Sequence, residues 1–141
     1  MSTLNKKSVL VQDVMIHTGG FPVIRETIMF KEAIEEMVRT GIGIVSVVDD
    51  EFKLLGILTD GDIRRMLLKV QKPLSAILVD DALDYATHLP MTVSSSDKLE
   101  IAVTLMGKKQ VWDLPVLDDS GVLIGLLHLH PAVEALLKLR Q

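Results

Sequence analysis

Apolar residues along this chain follow two patterns. Four segments carry them at helical spacing, and short apolar runs rich in β-branched residues lie between those segments. An acidic turn joins two of the runs, which is typical of a hairpin. The first cycle therefore predicts a strand, a helix, two hairpin strands and a second helix, at Pro22–Ile24, Phe30 to a stop at Gly41, Ile44–Val48, Lys53–Leu58, and Asp62 to about Val70.

This cycle of elements occurs twice. A shift of 69 residues aligns residues 23–70 with 92–139 without a gap, and 11 of the 48 aligned positions are identical. Average residue usage would give roughly three identities by chance. The second copy predicts hairpin strands at Leu114–Leu117 and Val122–Leu127, and a helix from about Pro131 to Leu139. The chain is therefore an internal duplication.

The duplication predicts the domain layout and the fold class. A βαββα unit with a three-stranded sheet cannot cover both sheet faces by itself, whereas two copies can bury those faces against each other. We therefore expect an α/β (α+β) fold of two pseudo-symmetric βαββα repeats packed through their sheets. Residues 1–8 are expected to be a linker or tail, 9–72 the first repeat and 73–141 the second, with no readable periodicity in 72–89.

Composition excludes several classes of protein. Of the 141 residues, 48% are hydrophobic but only three are Phe, one Tyr and one Trp, so the core is aliphatic. The absence of cysteine excludes disulfides and thiolate metal sites and suits a reducing cytoplasm. A net charge of −4 argues against a nucleic-acid partner. The first eight residues lack the apolar region of a signal peptide, and no run approaches the roughly 18 apolar residues of a membrane span. We expect a cytoplasmic protein without a membrane partner.

Candidate chemistry lies in Thr59-Asp60-Gly61-Asp62, where a strand gives way to a helix. The backbone N–H groups and the dipole of a helix start favour an anion such as phosphate. The Thr59 hydroxyl can donate to a phosphate oxygen, and the Asp62 carboxylate can accept from paired hydroxyls such as those of a ribose. The structural alternative is that Thr59 caps the helix and Asp62 is a first-turn carboxylate favoured by the dipole.

In the order and repetition of its motifs, the chain resembles the paired CBS module (Bateman module) across about residues 9–139. Val11–Met15 is similar to the lead-in segment of that family. The other motifs are Val47–Asp49, Leu55–Ile63, Pro115–Asp118 and Leu123–Leu127. Within the family the chain is most similar to the C-terminal CBS pair of bacterial arabinose-5-phosphate isomerases, through Gly41–Gly43, Thr59–Arg65 and Leu127–His130.

The resemblance implies a regulatory module that binds an adenosine-type nucleotide (AMP, ADP or ATP) or a nucleotide sugar between its copies. It also implies a partner, since such a module controls an attached or separate sugar-phosphate enzyme and is not itself catalytic. Thr59 would meet phosphate and Asp62 the ribose. The remaining implied contacts are the backbone of Gly43, Ile44 and Val45 beside the base, Val23 and Ile24 as an apolar wall, and Arg64 and Arg65 near phosphate, unless one of these arginines is only a solvated helix residue.

The second copy departs from this pattern. His128 stands at the Thr position and Pro131 at the Asp position, so the resemblance implies one competent site. His128 is then expected to have a polar role at the second site or at an interface. The alternative is a metal held by His128 and His130, perhaps with His88, which no acidic cluster supports. Trp112 replaces Gly43, and its indole can stack on a ligand, stack on a partner chain or cover the hairpin.

Two other functions stay open. Asp60 and Asp62 could hold Mg²⁺ in a phosphate-transfer enzyme, but no nucleophile with a neighbouring base occurs, so we predict no catalytic or metal residue. A degenerate pair could instead act only in dimerisation. The mean hydropathy of +0.36 and more than one apolar stripe on the last helix of each copy predict a homodimer, with Met66 and Leu137 as candidate contacts.

Overall fold

A computed structural model describes residues 8–139. Its elements follow the predicted order in both copies, with short additional elements before and between them. Two short 3-10 turns occupy Val11–Asp13 and Ala82–Tyr85. The strands and helices are β1 Ile16–His17, β2 Val23–Arg25, α1 Phe30–Thr40, β3 Ile44–Val48, β4 Leu54–Thr59, α2 Asp60–Lys69, α3 Leu74–Leu78, β5 Thr87–His88, β6 Val93–Ser94, α4 Leu99–Lys109, β7 Asp113–Leu117, β8 Leu123–His128 and α5 Leu129–Leu139.

Two compact units make up the described chain, and neither is a continuous segment. The first-copy unit consists of Thr18–Pro90 with Gly121–Leu123. The second-copy unit consists of the described residues through His17, Met91–Ser120, and the described residues from Ile124 on. The expected repeat boundaries, 9–72 and 73–141, stay a prediction about the sequence repeats. The mixed α/β fold class with two repeats is confirmed, and each unit is built around a four-stranded sheet.

The sheet of the first-copy unit has the order β2-β3-β4-β5. Strand β2 is parallel to β3, β3 and β4 form the predicted antiparallel hairpin, and β5 is antiparallel to β4. The fourth strand comes from the stretch without readable periodicity. With only two residues it is too short to show the alternation by which a strand is recognised.

The core of this unit lies between the sheet and its helices. Helix α1 contributes residues at helical spacing, and alternate residues of β3 meet them from the sheet. Met66 of α2 is 7% exposed and belongs to this core, so the expectation that it lies at a dimer contact is wrong. The exposed apolar residues of that helix are Leu67, at 53%, and Leu68, at 88%. The buried cluster contains Ile24, Phe30, Ala33, Met37, Val45, Val47, Leu58, Met66, Ile77 and Ala82.

The segment that follows α2 is tied to the start of α1. Lys72 Nζ lies 2.6 Å from Asp80 Oδ2, and the Tyr85 hydroxyl donates to the same carboxylate oxygen. The Phe30 N–H donates to the Asp80 carbonyl at 2.8 Å, and the Phe30 and Tyr85 rings meet edge to face at 5.3 Å. These contacts place residues 72–85 in the first-copy unit.

The second-copy unit has the sheet order β1-β8-β7-β6. Its lead-in segment is bound to the start of α4, because the Val11 N–H donates to the Asp97 carbonyl at 2.9 Å and the Leu99 N–H to the Val9 carbonyl at 2.8 Å. Helix α5 begins at Leu129, two residues before its predicted start. The buried cluster contains Val11, Val93, Leu99, Ala102, Met106, Leu114, Val116, Leu127 and Ala132.

The contribution of Asp80 to stability should depend on pH. Its hydrogen bonds from Lys72 and then from Tyr85 hold the pKa of the Asp80 carboxyl below its ordinary value of 3.8. Because the folded state favours the carboxylate, this contribution is present above pH 3.8 and is lost as the pH falls through the lowered pKa. Wild type should therefore have a higher melting temperature (Tm) than Asp80→Asn at neutral pH, and this difference in Tm should disappear in acid.

Asp84→Asn is the control for this measurement, because Asp84 is an exposed carboxylate of the same segment. Its melting temperature should follow that of wild type at every pH. A gap between wild type and Asp80→Asn that stays constant into acid would contradict the assignment.

Candidate functional site

The turn from β4 into α2 is closed by a reciprocal capping box. The Asp62 N–H donates to Thr59 Oγ1 at 3.1 Å, and the Thr59 N–H donates to Asp62 Oδ2 at 3.0 Å. Helix α2 therefore begins at Asp60, two residues before its predicted start. Thr59 and Asp62 therefore cap the helix, as the structural alternative predicted. Any contact of these two side chains with a ligand must be compatible with this cap.

The Asp62 carboxylate accepts four hydrogen bonds. Oδ2 accepts from the N–H and the hydroxyl of Thr59, both at 3.0 Å. Oδ1 accepts from Arg65 Nη2 at 2.9 Å and from Thr87 Oγ1 at 3.1 Å. A carboxylate offers about four lone-pair sites, so a further donor has to displace one of these. Arg65 and Thr87 are both exposed, so they are the donors on Oδ1 that a ligand can displace, while Thr59 holds Oδ2.

The start of β3 lies beside this turn. Ile44 pairs with Thr59 in the sheet, and the Asp60 N–H donates to the Gly43 carbonyl at 3.1 Å. A Cβ on Gly43 would meet the Asp60 carboxylate, so a larger residue here would require that exposed side chain to turn away. The structure thus brings together Gly43, Ile44, Thr59, Asp62 and Arg65. Val45 follows Ile44, but its side chain is fully buried in the core, so only its backbone is available.

Val23 and Ile24 do not adjoin this turn, so their role as an apolar wall stays a prediction, and one contact of Asp62 was not predicted. Val23 pairs with Ser46 and is separated from β4 by the whole of β3, while the Ile24 side chain belongs to the core. The pairing therefore does not bring these residues to the Thr59 turn. Thr87 reaches Asp62 because β5 pairs with β4, with Thr87 opposite Ile57. Nothing in the sequence signals this contact, since it depends on a two-residue strand.

The corresponding turn of the second copy carries different chemistry. His128 Nδ1 lies 2.7 Å from Asp113 Oδ1, with the two side chains 35% and 11% exposed. The repeat itself could have predicted this pair, because Ile44 and Thr59 shifted by 69 residues are Asp113 and His128. Trp112 is 70% exposed, so its indole does not cover the hairpin.

The described residues contain no cluster that could hold a metal ion, where a cluster means three or more His, Cys, Asp or Glu side chains. His130 lies within 3.8 Å of Glu134 on its own helix, and His128 contacts Asp113. Within residues 8–139 no helix is long and apolar enough to cross a membrane.

Two segments match the family model of the CBS domain, residues 11–69 and 82–137. Together they cover most of the chain. The chain belongs to the CBS domain family. It carries the domain twice, as a tandem pair, which confirms the resemblance drawn from the motifs.

Two curated relatives show where such a pair occurs. An uncharacterized protein of Helicobacter pylori is 32% identical over 136 residues, which are 96% of this chain and 40% of that protein. The arabinose 5-phosphate isomerase GutQ of Escherichia coli is 29% identical over 125 residues, 89% of this chain and 37% of the enzyme. The chain thus spans about two fifths of the length of these relatives, and its similarity to GutQ is distant.

The fold also matches a solved structure closely. The crystal structure of CBSX2 from Arabidopsis thaliana in complex with AMP superposes with a TM-score of 0.81 and 29% sequence identity. The match covers 94% of this chain and 98% of CBSX2. A CBS pair of this shape therefore binds AMP in at least one structural neighbour.

Removing the capping hydroxyl should destabilise the first-copy unit. Thr59→Val keeps the side-chain shape but loses Oγ1, which accepts from the Asp62 N–H, and loss of such a cap costs about 0.5–2 kcal/mol. Thr59→Ser keeps the hydroxyl and should unfold close to wild type. Urea denaturation measures both, and equal free energies of unfolding for the two variants would refute the role of the cap.

Proposed function

We propose that this chain is a regulatory CBS pair that binds an adenosine-type nucleotide or a nucleotide sugar at the Thr59–Asp62 turn. The observation that carries the proposal is the Asp62 carboxylate, held at a helix start by Thr59 and covered on its outer oxygen by the exposed Arg65. The AMP complex of CBSX2 supports the ligand class. Our proposal places one nucleotide in each chain, because Pro131 in the second copy cannot supply the carboxylate.

Binding requires an exchange at Asp62. Arg65 leaves Oδ1 for the phosphate, where its planar fork forms charge-assisted hydrogen bonds, and a ribose hydroxyl takes the vacated position. Oδ2 keeps its two bonds from Thr59, so the carboxylate stays in place during the exchange. The first N–H groups of α2 and its dipole add to the attraction for phosphate. The backbone of Gly43, Ile44 and Val45 lies beside the base.

The regulated activity is that of an attached or partner sugar-phosphate enzyme. The similarity to a GutQ isomerase, of which this chain spans 37%, supports this assignment. The nucleotide controls such an enzyme only if it binds two states of the assembly with different affinity, because equal affinity shifts no equilibrium. The module itself provides the ligand contacts and performs no chemistry.

Replacing Asp62 should weaken nucleotide binding by removing the ribose acceptor. Asp62→Ala loses hydrogen bonds to a charged group, which are worth about 1.5–3 kcal/mol, or roughly ten- to a hundredfold in affinity. Isothermal titration of AMP measures the loss directly. Titration of 2′,3′-dideoxy-AMP completes a cycle, because the variant should no longer distinguish it from AMP.

The matched control is Asp119→Ala, which removes an exposed carboxylate from the second-copy hairpin with the same change in charge. It should bind AMP as wild type does. If Asp62→Ala retains wild-type affinity, or still prefers AMP over the dideoxy analogue, Asp62 is not the ribose acceptor.

The second candidate function is dimerisation alone. It is favoured by the absence of a ribose carboxylate in the second copy and by apolar side chains that the described chain leaves in solvent. Leu68 is 88% exposed and Leu137 is 55% exposed. Exposed apolar patches of this kind mark interfaces, and an isologous dimer would bury the same helix of both chains. A pair that dimerises but binds no member of a nucleotide panel would have only this function.

A homodimer through α5 should dissociate when Leu137 is replaced by Glu, since the charge would be buried at the contact. Val38→Glu is the control, because Val38 is 79% exposed on α1, outside the proposed contact. Sedimentation velocity at tens of micromolar distinguishes the species. A monomeric wild type, or a dimer that survives Leu137→Glu, would exclude α5 as the interface.

A further inference from the structure

A cavity of about 260 Å³ lies beside the edge strand β2 of the first-copy unit. It is lined by Val23, Arg25, Glu36, Arg39 and Phe52, among others. Phe52 belongs to the tip of the β3–β4 hairpin, and the Thr59 turn is at the opposite end of the same hairpin. The cavity is therefore separate from the proposed nucleotide site.

Two guanidinium groups line this cavity, and each is oriented by a partner. Arg25 Nη1 donates to the Asp49 carbonyl at 2.9 Å and lies 3.6 Å from Asp50 Oδ1, and the guanidinium lies over the Phe52 ring at 5.7 Å. Arg39 Nε donates to Glu36 Oε2 at 2.5 Å. A guanidinium carries five N–H donors, so these contacts leave donors on both arginines for a ligand. Two arginines at one cavity suit a phosphoryl group.

Phe52 points independently to a role for the cavity. Its backbone is left-handed, with φ of 64°, which is unfavourable for an aromatic residue. The matching residue of the second copy is Gly121, with φ of 84°, so glycine serves the same turn without strain. Strained residues persist only where the surrounding structure holds them in place, and they cluster at functional sites. Arg25 and Glu36 also have no counterpart of their kind, since Ser94 and Leu105 occupy the matching positions.

We propose that this cavity binds a small hydroxylated organic phosphate, such as a sugar phosphate. Arg25 and Arg39 hold the phosphoryl group, Glu36 accepts from a ligand hydroxyl, and the carbon face of the ligand packs on Phe52. The volume lies below the roughly 300–1,000 Å³ of sites for drug-sized ligands, so it suits a sugar phosphate better than a whole nucleotide. The chain then carries a metabolite site besides its proposed nucleotide site.

The test is a titration of the full chain with D-ribose 5-phosphate. Binding is monitored through the NMR chemical shifts of the backbone and of the arginine side chains. D-Ribose and inorganic phosphate are titrated in parallel. We expect D-ribose 5-phosphate to shift Arg25, Arg39 and Phe52 at millimolar concentration, and each component alone to bind at least tenfold more weakly. No shift at these residues, or equal binding of inorganic phosphate, would overturn the proposal.

Single substitutions test whether the residues that line the cavity bind the sugar phosphate. Arg39→Gln should weaken binding of D-ribose 5-phosphate about ten- to a hundredfold, whereas Lys108→Gln, its match in the second copy, should leave binding unchanged. Phe52→Gly keeps the turn, as Gly121 does, and should weaken binding while the protein stays folded by circular dichroism. Wild-type affinity in both Arg39→Gln and Phe52→Gly would overturn the assignment.

The same titration distinguishes this proposal from the proposed function. Asp62→Ala should bind D-ribose 5-phosphate as wild type does, although its affinity for AMP is reduced. Loss of D-ribose 5-phosphate binding in Asp62→Ala would show that the sugar phosphate occupies the nucleotide site and would refute a separate cavity site.

Discussion

The antiparallel pairing of β3 with β4 is the constraint on which the candidate site depends. It sets Ile44 opposite Thr59 and so brings the loop at Gly43 against the first turn of α2. A shift of one residue would turn every side chain of β4 to the other face and separate Thr59 from that loop. The capping box then fixes Asp62 relative to Thr59, so the position of the carboxylate follows from the register of the hairpin.

The two copies share this backbone arrangement and differ in the polar side chains at the turn. The backbone bond from Asp60 to Gly43 has its equivalent in the bond from Leu129 to Trp112. The carboxylate that we propose as the ribose acceptor is present only in the first copy, while the second has a histidine paired with Asp113 at the same register position. Duplication therefore preserved the scaffold, which depends on apolar periodicity, while the polar groups at the turn diverged.

Each sheet gains a fourth strand from residues that lie outside the aligned repeats. Strand β5 completes the sheet of the first-copy unit and supplies Thr87 to Asp62. Strand β1 does the same for the sheet of the second-copy unit, pairing with β8. Both strands are two residues long, so their stability comes from the sheets they join. The unit boundaries consequently differ from the repeat boundaries.

The sequence by itself determined the duplication, the order of the main strands and helices, and the position of the Thr59–Asp62 turn. These follow from periodicity and from capping chemistry, which act over a few residues and repeat in both copies. Only the tertiary structure decided that Met66 is core, that Val23 lies on the far side of β3, and that Thr87 and Arg65 share the Asp62 carboxylate. Helical and strand periodicity shows which residues share a face. Which partner covers that face depends on pairings between distant segments, and two-residue strands are too short to leave a pattern in the sequence.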